Sequence, residues 1–330
     1  METWLPLLFV AIMGLALLIY IVLDGFDLGI GLLLPLADEA EKNRMIASIG
    51  PFWDANETWI VLGVGILLIA FPRAHGMILS TLYLPVTLML MGLILRGVAF
   101  DFRIKAGLSK RSLWNRLFFT GSLVAAMAQG WMLGMYVMGL DYHSVSIGFS
   151  IAIALALPAF YVMLACAWLF TKAEGSLFDK AVRWARWTLL PAGLGLLLIS
   201  VATPIASDAI ADKWFSLPAG IGLLPIPLTT LIAFSVVAWF IWNKALLQAG
   251  YGWVVFAALA VICLMCTLGL AYSIYPDIII GKLSLWEAVA ATNSLLFVLT
   301  GVAITVPMIL GYTITVYRVF RGRAGELSYD

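Results

Sequence analysis

Nine apolar runs of about 20 residues or more follow one another along this chain, at residues 5–34, 53–72, 77–100, 114–140, 147–172, 184–205, 219–243, 251–274 and 288–318. At about 1.5 Å of rise per residue, a helix of that length crosses the roughly 30 Å hydrocarbon layer of a bilayer. Few folds can hold so many such runs. The composition points the same way: 63% of the 330 residues are hydrophobic and only 11% are charged, with a mean hydropathy of +1.05. That leaves too little polar surface for a soluble domain of this size. The expected fold is therefore an all-α polytopic membrane protein of nine transmembrane helices. No linker or low-complexity stretch divides the chain, so residues 1–330 are read as a single membrane domain. The opening METWLPLLFV has no basic n-region, which suggests a retained first span and not a cleaved signal. A net charge of +1 offers no basis for a nucleic-acid partner.

The basic residues set the expected orientation. With the N-terminus outside, the inward segments carry 16 Lys and Arg, among them Arg96, Arg103, Lys105, Lys110, Arg111 and Arg116. The outward segments carry only three, Arg73, Lys213 and Lys282. The positive-inside rule then puts the N-terminus outside and the C-terminus in the cytoplasm.

Against this apolar background, polar groups inside the spans stand out, because a charged residue at mid-membrane costs about 2.5–3.5 kcal/mol on insertion scales. The first span contains YIVLDGFDLGIGLLLPL, with Asp24 and Asp27 three residues apart and therefore on one helix face. In the expected orientation both fall in its inner half. The second span opens with GPFWDANETWIV, which brings Trp53, Asp54, Asn56, Glu57, Thr58 and Trp59 to the same membrane side. Asp in a first helical turn and Trp at an interface also have purely structural uses. The third span ends in LILRGVAFDFRIK, where Arg96 follows a long apolar run. A buried cation and a buried anion are tolerated together, so Arg96 is the expected partner of an inner-half aspartate, with Asp27 the chosen one. Asp101 and Arg103 fit the positive-inside rule without further function. Acidic groups gathered this way, Asp24, Asp27, Asp54 and Glu57, suit a proton relay.

Other chemistry is poorly represented. The only histidines, His75 and His143, fall in short outward loops and not on facing helix interiors where haem iron would be held. Cys263 and Cys266 form a C-x-x-C inside an apolar run and, with Cys166, read as packing residues. No phosphate-binding loop, metal-spaced His/Cys set or nucleophile elbow occurs. Two readings remain: a proton relay opening at one membrane face, or a proton-coupled secondary transporter. The transporter would place its site near the midplane, between broken helices in two repeats. Carboxylates clustered toward one face favour the first.

Several of these segments together carry a resemblance: DGFDLG at 24–29, GPFWDANETW at 50–59, RGVAFDFR at 96–103, Tyr275-Pro276, and the Tyr312 to Gly322 pattern Y-T-x-x-x-Y-x-x-F-x-G. In this order they resemble subunit II of the cytochrome bd quinol oxidases. The resemblance implies two four-helix bundles plus one peripheral helix. It also implies a bacterial cytoplasmic-membrane complex that oxidises quinol, reduces oxygen to water and generates proton-motive force. Haem b and haem d, and the quinol-oxidising loop, would belong to a partner, subunit I, so that no cofactor is bound by this chain alone. By position, Asp54 would stand at the cytoplasmic mouth of a proton path into subunit I, and Trp59 near an oxygen-conducting tunnel. Asp27 and Arg96 would support assembly of the haem site across the interface. Asp24 receives only a weak assignment and Glu57 none. The chain departs from longer members in its short loops between helices five and six and between six and seven. A structural quinone on this subunit and a small single-span accessory subunit are left open by the resemblance.

Overall fold

The computed structural model describes residues 4–105, 107–205, 208–216 and 219–323. Among these, nine helices are long and apolar enough to cross a membrane. In chain order the helices are α1 (Trp4–Leu33), α2 (Glu39–Ile49), α3 (Trp53–Ala70), α4 (Pro72–Lys105), α5 (Leu108–Val137), α6 (Ser144–Lys172), α7 (Gly175–Ile205), α8 (Asp208–Phe215), α9 (Ala219–Leu223), α10 (Pro225–Trp242), α11 (Lys244–Leu246), α12 (Gly252–Ile274), α13 (Leu285–Ala288) and α14 (Thr292–Val319). A small antiparallel hairpin, β1 (Asp277–Ile279) with β2 (Leu283–Ser284), precedes α13 and turns at Gly281, whose φ is +65°.

Most boundaries agree with the sequence reading, and the differences have local causes. The expected break over FPRAHG at 71–76 shrinks to Phe71, because Pro72 is the first residue of α4, where its missing N–H costs nothing. Within α4 the backbone leaves helical geometry at Leu82 (φ −108°, ψ 20°), just ahead of Pro85, which cannot donate to the turn before it. The seventh apolar run is divided between α9 and α10, with Pro225 opening α10. The short helices α2, α8, α11 and α13 were not expected, and α2 is the longest of them. Asp38 caps α2 through a capping box, accepting from the Glu41 N–H while the Glu41 carboxylate accepts from the Asp38 N–H.

The spans pack as two rings of four. In the first ring, α1, α3, α4 and α5 are neighbours in a closed circuit; in the second, α6, α7, α10 and α12 are. The rings join where α1 and α5 lie along α6, and α14 runs outside the first ring against α3. The expected pair of four-helix bundles with a peripheral helix is therefore the fold observed. Charge is also divided between the two ends of the molecule. At one end Arg73 donates to the Glu287 carbonyl, Lys282 pairs with Asp141 at 2.7 Å and Lys213 donates to the Tyr275 carbonyl. At the other, Lys180 pairs with Glu41, Lys244 with Asp179 and Arg323 with Glu174.

Candidate functional site

Two close helix approaches, α1 on α6 and α4 on α5, set the site. A side chain at Gly29 would put a Cβ about 2.0 Å from the Tyr161 carbonyl oxygen, so only glycine lets α1 lie this near α6. On the other flank, Gly121 of α5 faces the Arg96 backbone so closely that a Cβ would come within 2.8 Å of the Arg96 nitrogen. These contacts press the DGFDLG segment and the RGVAFDFR segment into the interior of the first bundle.

The Arg96 guanidinium is the hub. It is 2% exposed, and its Nη1 lies 2.7 Å from Oδ1 of the fully buried Asp24. Its Nη2 donates to Oε1 of Glu57, whose side chain is 28% exposed. One cation from α4 thus ties together α1 and α3. The planar fork of arginine suits this double contact, which a lysine could not make with the same geometry.

Asp27 has a different environment. It is fully buried, and its Oδ2 accepts a 2.8 Å hydrogen bond from Asn56 Nδ2. The Oδ1 of Asn56 in turn accepts from the Tyr317 hydroxyl at 3.0 Å, which brings α14 into the network. The expected Asp27–Arg96 ion pair is therefore corrected: Arg96 pairs with Asp24 and Glu57. Both Asp27 and Arg96 line one narrow cleft with Trp53, Gly97 and Phe100. One helical turn, however, separates the two aspartates, and the Asn56 amide of α3 takes up the deeper one. Two carboxylates, Asp24 and Glu57, share one guanidinium, and Asp27 is held by a neutral amide.

One turn from Asp24 lies a second polar run that the sequence reading missed. Tyr20 lies one turn earlier on α1, and its hydroxyl accepts from Gln129 Nε2 of α5 at 2.8 Å. The Gln129 Oε1 accepts from the Tyr161 hydroxyl of α6 at 2.5 Å. The available signal was Gln129 itself, an uncharged polar residue alone in an apolar stretch. Tyr317 lies within the Tyr312 to Gly322 pattern.

The remaining residues lie at the margins. Asp54 is exposed in the first turn of α3, one turn before Glu57, and stands outside the buried cluster. Trp59 is 2% exposed and packs on Ala16 and Tyr20, with its Nε1 unpartnered. His75, in the first turn of α4, is half-buried, and His143, just before α6, is exposed. Among the described residues no group of three His, Cys, Asp or Glu could hold a metal ion.

Comparison with known proteins gives a consistent set of likenesses. The family described as cytochrome bd terminal oxidase subunit II matches residues 5–320. The cytochrome bd ubiquinol oxidase subunit 2 of Bacillus subtilis is 37% identical over 132 residues, which is 39% of this chain and 38% of that protein. The cytochrome bd-I ubiquinol oxidase subunit 2 of Escherichia coli K12 is 33% identical over 135 residues, 40% of this chain and 36% of its own length. The matched stretch thus spans well under half the length of these curated relatives. Among solved structures, the bd oxidase from Geobacillus thermodenitrificans superposes with a TM-score of 0.78, covering 96% of this chain and 98% of that one at 18% identity, a likeness of fold.

Proposed function

Because the chain belongs to the cytochrome bd terminal oxidase subunit II family, we propose that it is the non-haem half of a quinol:oxygen oxidoreductase in the bacterial cytoplasmic membrane. In this reading electrons pass from quinol to oxygen on a haem-bearing subunit I, and this chain supplies a scaffold and a route for protons taken from the cytoplasm. The N-terminus lies outside and the C-terminus inside. Haem b and haem d belong to the partner, and a structural quinone and a small single-span subunit are compatible additions.

The observation that carries the reading is the buried Asp24–Arg96–Glu57 group with the exposed Asp54 one turn away on α3. A carboxylate at the surface can exchange protons with water, whereas the paired groups behind it are fixed in place. Asp54 is assigned the uptake role, and Glu57, Asp24 and Asp27 line the inward continuation. Arg96 holds the carboxylates that would otherwise be uncompensated. Trp59, buried against α1, is assigned to the wall of an oxygen path. The location of all these groups toward one end of their helices suits uptake from one membrane face better than the midplane site of a transporter.

Replacing Asp54 with Asn tests the assignment. General acid–base groups typically contribute about 10²–10⁴ in rate when they carry a proton in the limiting step. Quinol-supported oxygen consumption should therefore fall about tenfold or more, while the visible haem spectrum of the purified complex stays unchanged. Unaltered turnover would remove Asp54 from the proton route.

A further inference from the structure

A second set of buried polar groups lies outside the site described above, where α2, α4 and α5 meet. Arg103, near the end of α4, is only 4% exposed, yet among the described residues no carboxylate pairs with it. Its Nε donates to Oδ1 of Asn115 and its Nη2 donates to Oδ1 of Asn43 at 2.8 Å. Both partners are neutral amides, so no group in direct contact neutralises the charge. Because the Asn115 oxygen is engaged, its amide nitrogen points elsewhere, and that buried nitrogen has no partner. One turn away on the same face of α5, the buried Nε of Arg111 also has none.

The helix that carries them makes this more unusual. Helix α5 starts without a side-chain cap, and its first turn holds Lys110 and Arg111 with no acidic residue. Cations at the positive end of a helix dipole are unfavourable unless an anion lies among them. Among the described residues no nearby acid contacts these donors: Glu39, whose charge acts on Arg103 from a distance, pairs with Lys42 at 2.6 Å, Glu41 pairs with Lys180, and Asp101 is exposed and makes no ion pair. Among the described residues, the buried unpartnered atoms here, Asn115 Nδ2 and Arg111 Nε, are both donors. Beside it, the exposed Phe102 stacks on Trp114 with ring centroids 5.1 Å apart, and Leu113 is exposed. Aromatic rings and exposed apolar side chains of this kind mark the headgroup level of a bilayer.

We propose that the α2/α4/α5 junction is a phosphate-binding site built by Arg103, Arg111 and Asn115, and that its occupant is the headgroup phosphate of an anionic phospholipid. Basic pockets between helix ends recognise such headgroups by charge, and the donor-only set excludes a cation. Lys105, Lys110 and Arg116 add to the field around it.

The test uses the purified full chain with its co-purifying partner, placed in nanodiscs of phosphatidylcholine with or without phosphatidylglycerol, and native mass spectrometry to count retained lipid. Asn115→Asp keeps the acceptor for Arg103 and so keeps the fold, but turns the free donor into a carboxylate. It should lower phosphatidylglycerol retention at least about fivefold, the weight of one basic side chain at an anionic surface, and leave phosphatidylcholine unchanged. Arg111→Gln, at a half-buried position, should lower it by a similar factor and serves if the first variant assembles poorly. In a second arm, inorganic phosphate is added to phosphatidylcholine discs. A rise in thermal midpoint in the wild type that Asn115→Asp abolishes, without selective phosphatidylglycerol retention, keeps the phosphate site and assigns it to the free ion. Equal behaviour of wild type and both variants in the two arms overturns the proposal, as does loss of the partner chain with lipid retention intact.

Discussion

The two four-helix bundles share an architecture and differ in what they bury. In the first, Asp24, Asp27, Asn56 and Arg96 are all at most 2% exposed, and a hydrogen-bonded run from Tyr20 through Gln129 to Tyr161 continues into the second. In α6, α7, α10 and α12 the only acidic side chain is Asp179, exposed and paired with Lys244 at 2.7 Å. The interior there is alanine, leucine, cysteine and aromatic residues. Equal packing is thus achieved without buried carboxylates, so the charges of the first bundle are not a requirement of the fold. They are a cost that function has to justify.

Arg96→Leu attacks that contrast most directly. It leaves Asp24 and Glu57 without their cation, and orphaning a buried partner typically costs about 3–5 kcal/mol. The expected result is a large drop in the yield of assembled complex and in its haem d absorbance. A triple replacement that also removes the acids, Asp24→Leu and Glu57→Gln with Arg96→Met, should restore the yield, because apolar groups of similar volume are often as stable as a buried ion pair. Oxygen consumption should stay low in the triple variant. If it recovers along with the yield, the charges serve only to hold one another.

Lys172 supplies the matching test in the second bundle, where it is the one buried cation of α6. Its ammonium lies 4.8 Å from the Trp168 ring centre and 5.3 Å from that of Phe52, and it donates to the Phe320 carbonyl at 2.8 Å. No acid is left behind when it is removed, so Lys172→Met should cost only about 1–2 kcal/mol, the range of a partly desolvated cation–π contact. A loss as large as that for Arg96→Leu, read from thermal unfolding in detergent, would erase the distinction between the bundles.

How far the sequence foretold this contrast depends on which physical quantity was needed. Nine spans and their order follow from hydropathy, which is additive along the chain and independent of partners. The acidic clusters were legible for the same reason, since a carboxylate in an apolar run is costly wherever it points. The choice of partner for Arg96 was not. Asp24 and Asp27 share a face of α1, and which one meets the guanidinium depends on the rotation and depth of α3 and α4, fixed by contacts such as Gly121 against the Arg96 backbone. Helix α2 escaped notice because its apolar residues, among them Met45, Ile46 and Ile49, cover only one side of a short polar segment.

A smaller effect should come from Tyr317→Phe, which removes the hydroxyl that α14 lends to Asn56. Interhelical hydrogen bonds of this kind average about 0.6 kcal/mol within membranes. The thermal midpoint should move slightly, and less than for Lys172→Met. A larger shift would mean that the Asn56–Asp27 contact depends on the peripheral helix, making α14 part of the charged bundle.

The smallest expected effect concerns Glu41, which links α2 to the second bundle outside the membrane spans. Burial alone would raise its pKa, but hydrogen bonds from Lys180, the Asp38 N–H and Ser176 outweigh that and hold it below the usual value of 4.5. With the folded value depressed, the stabilisation is fully present above the unfolded value and is lost as pH falls through the folded one. Lys180 is partly exposed, so solvent screening keeps the contribution below about 1 kcal/mol. Glu41→Gln should therefore lower the thermal midpoint slightly near neutral pH, and the two midpoints should converge as the pH is taken below 4.5. A difference that persists at low pH would show that the side chain acts through shape and hydrogen bonding, not charge. In that case the acid that contacts Lys180 most closely would contribute no electrostatic energy at the α2 junction, and electrostatic stabilisation would be confined still more sharply to the first bundle.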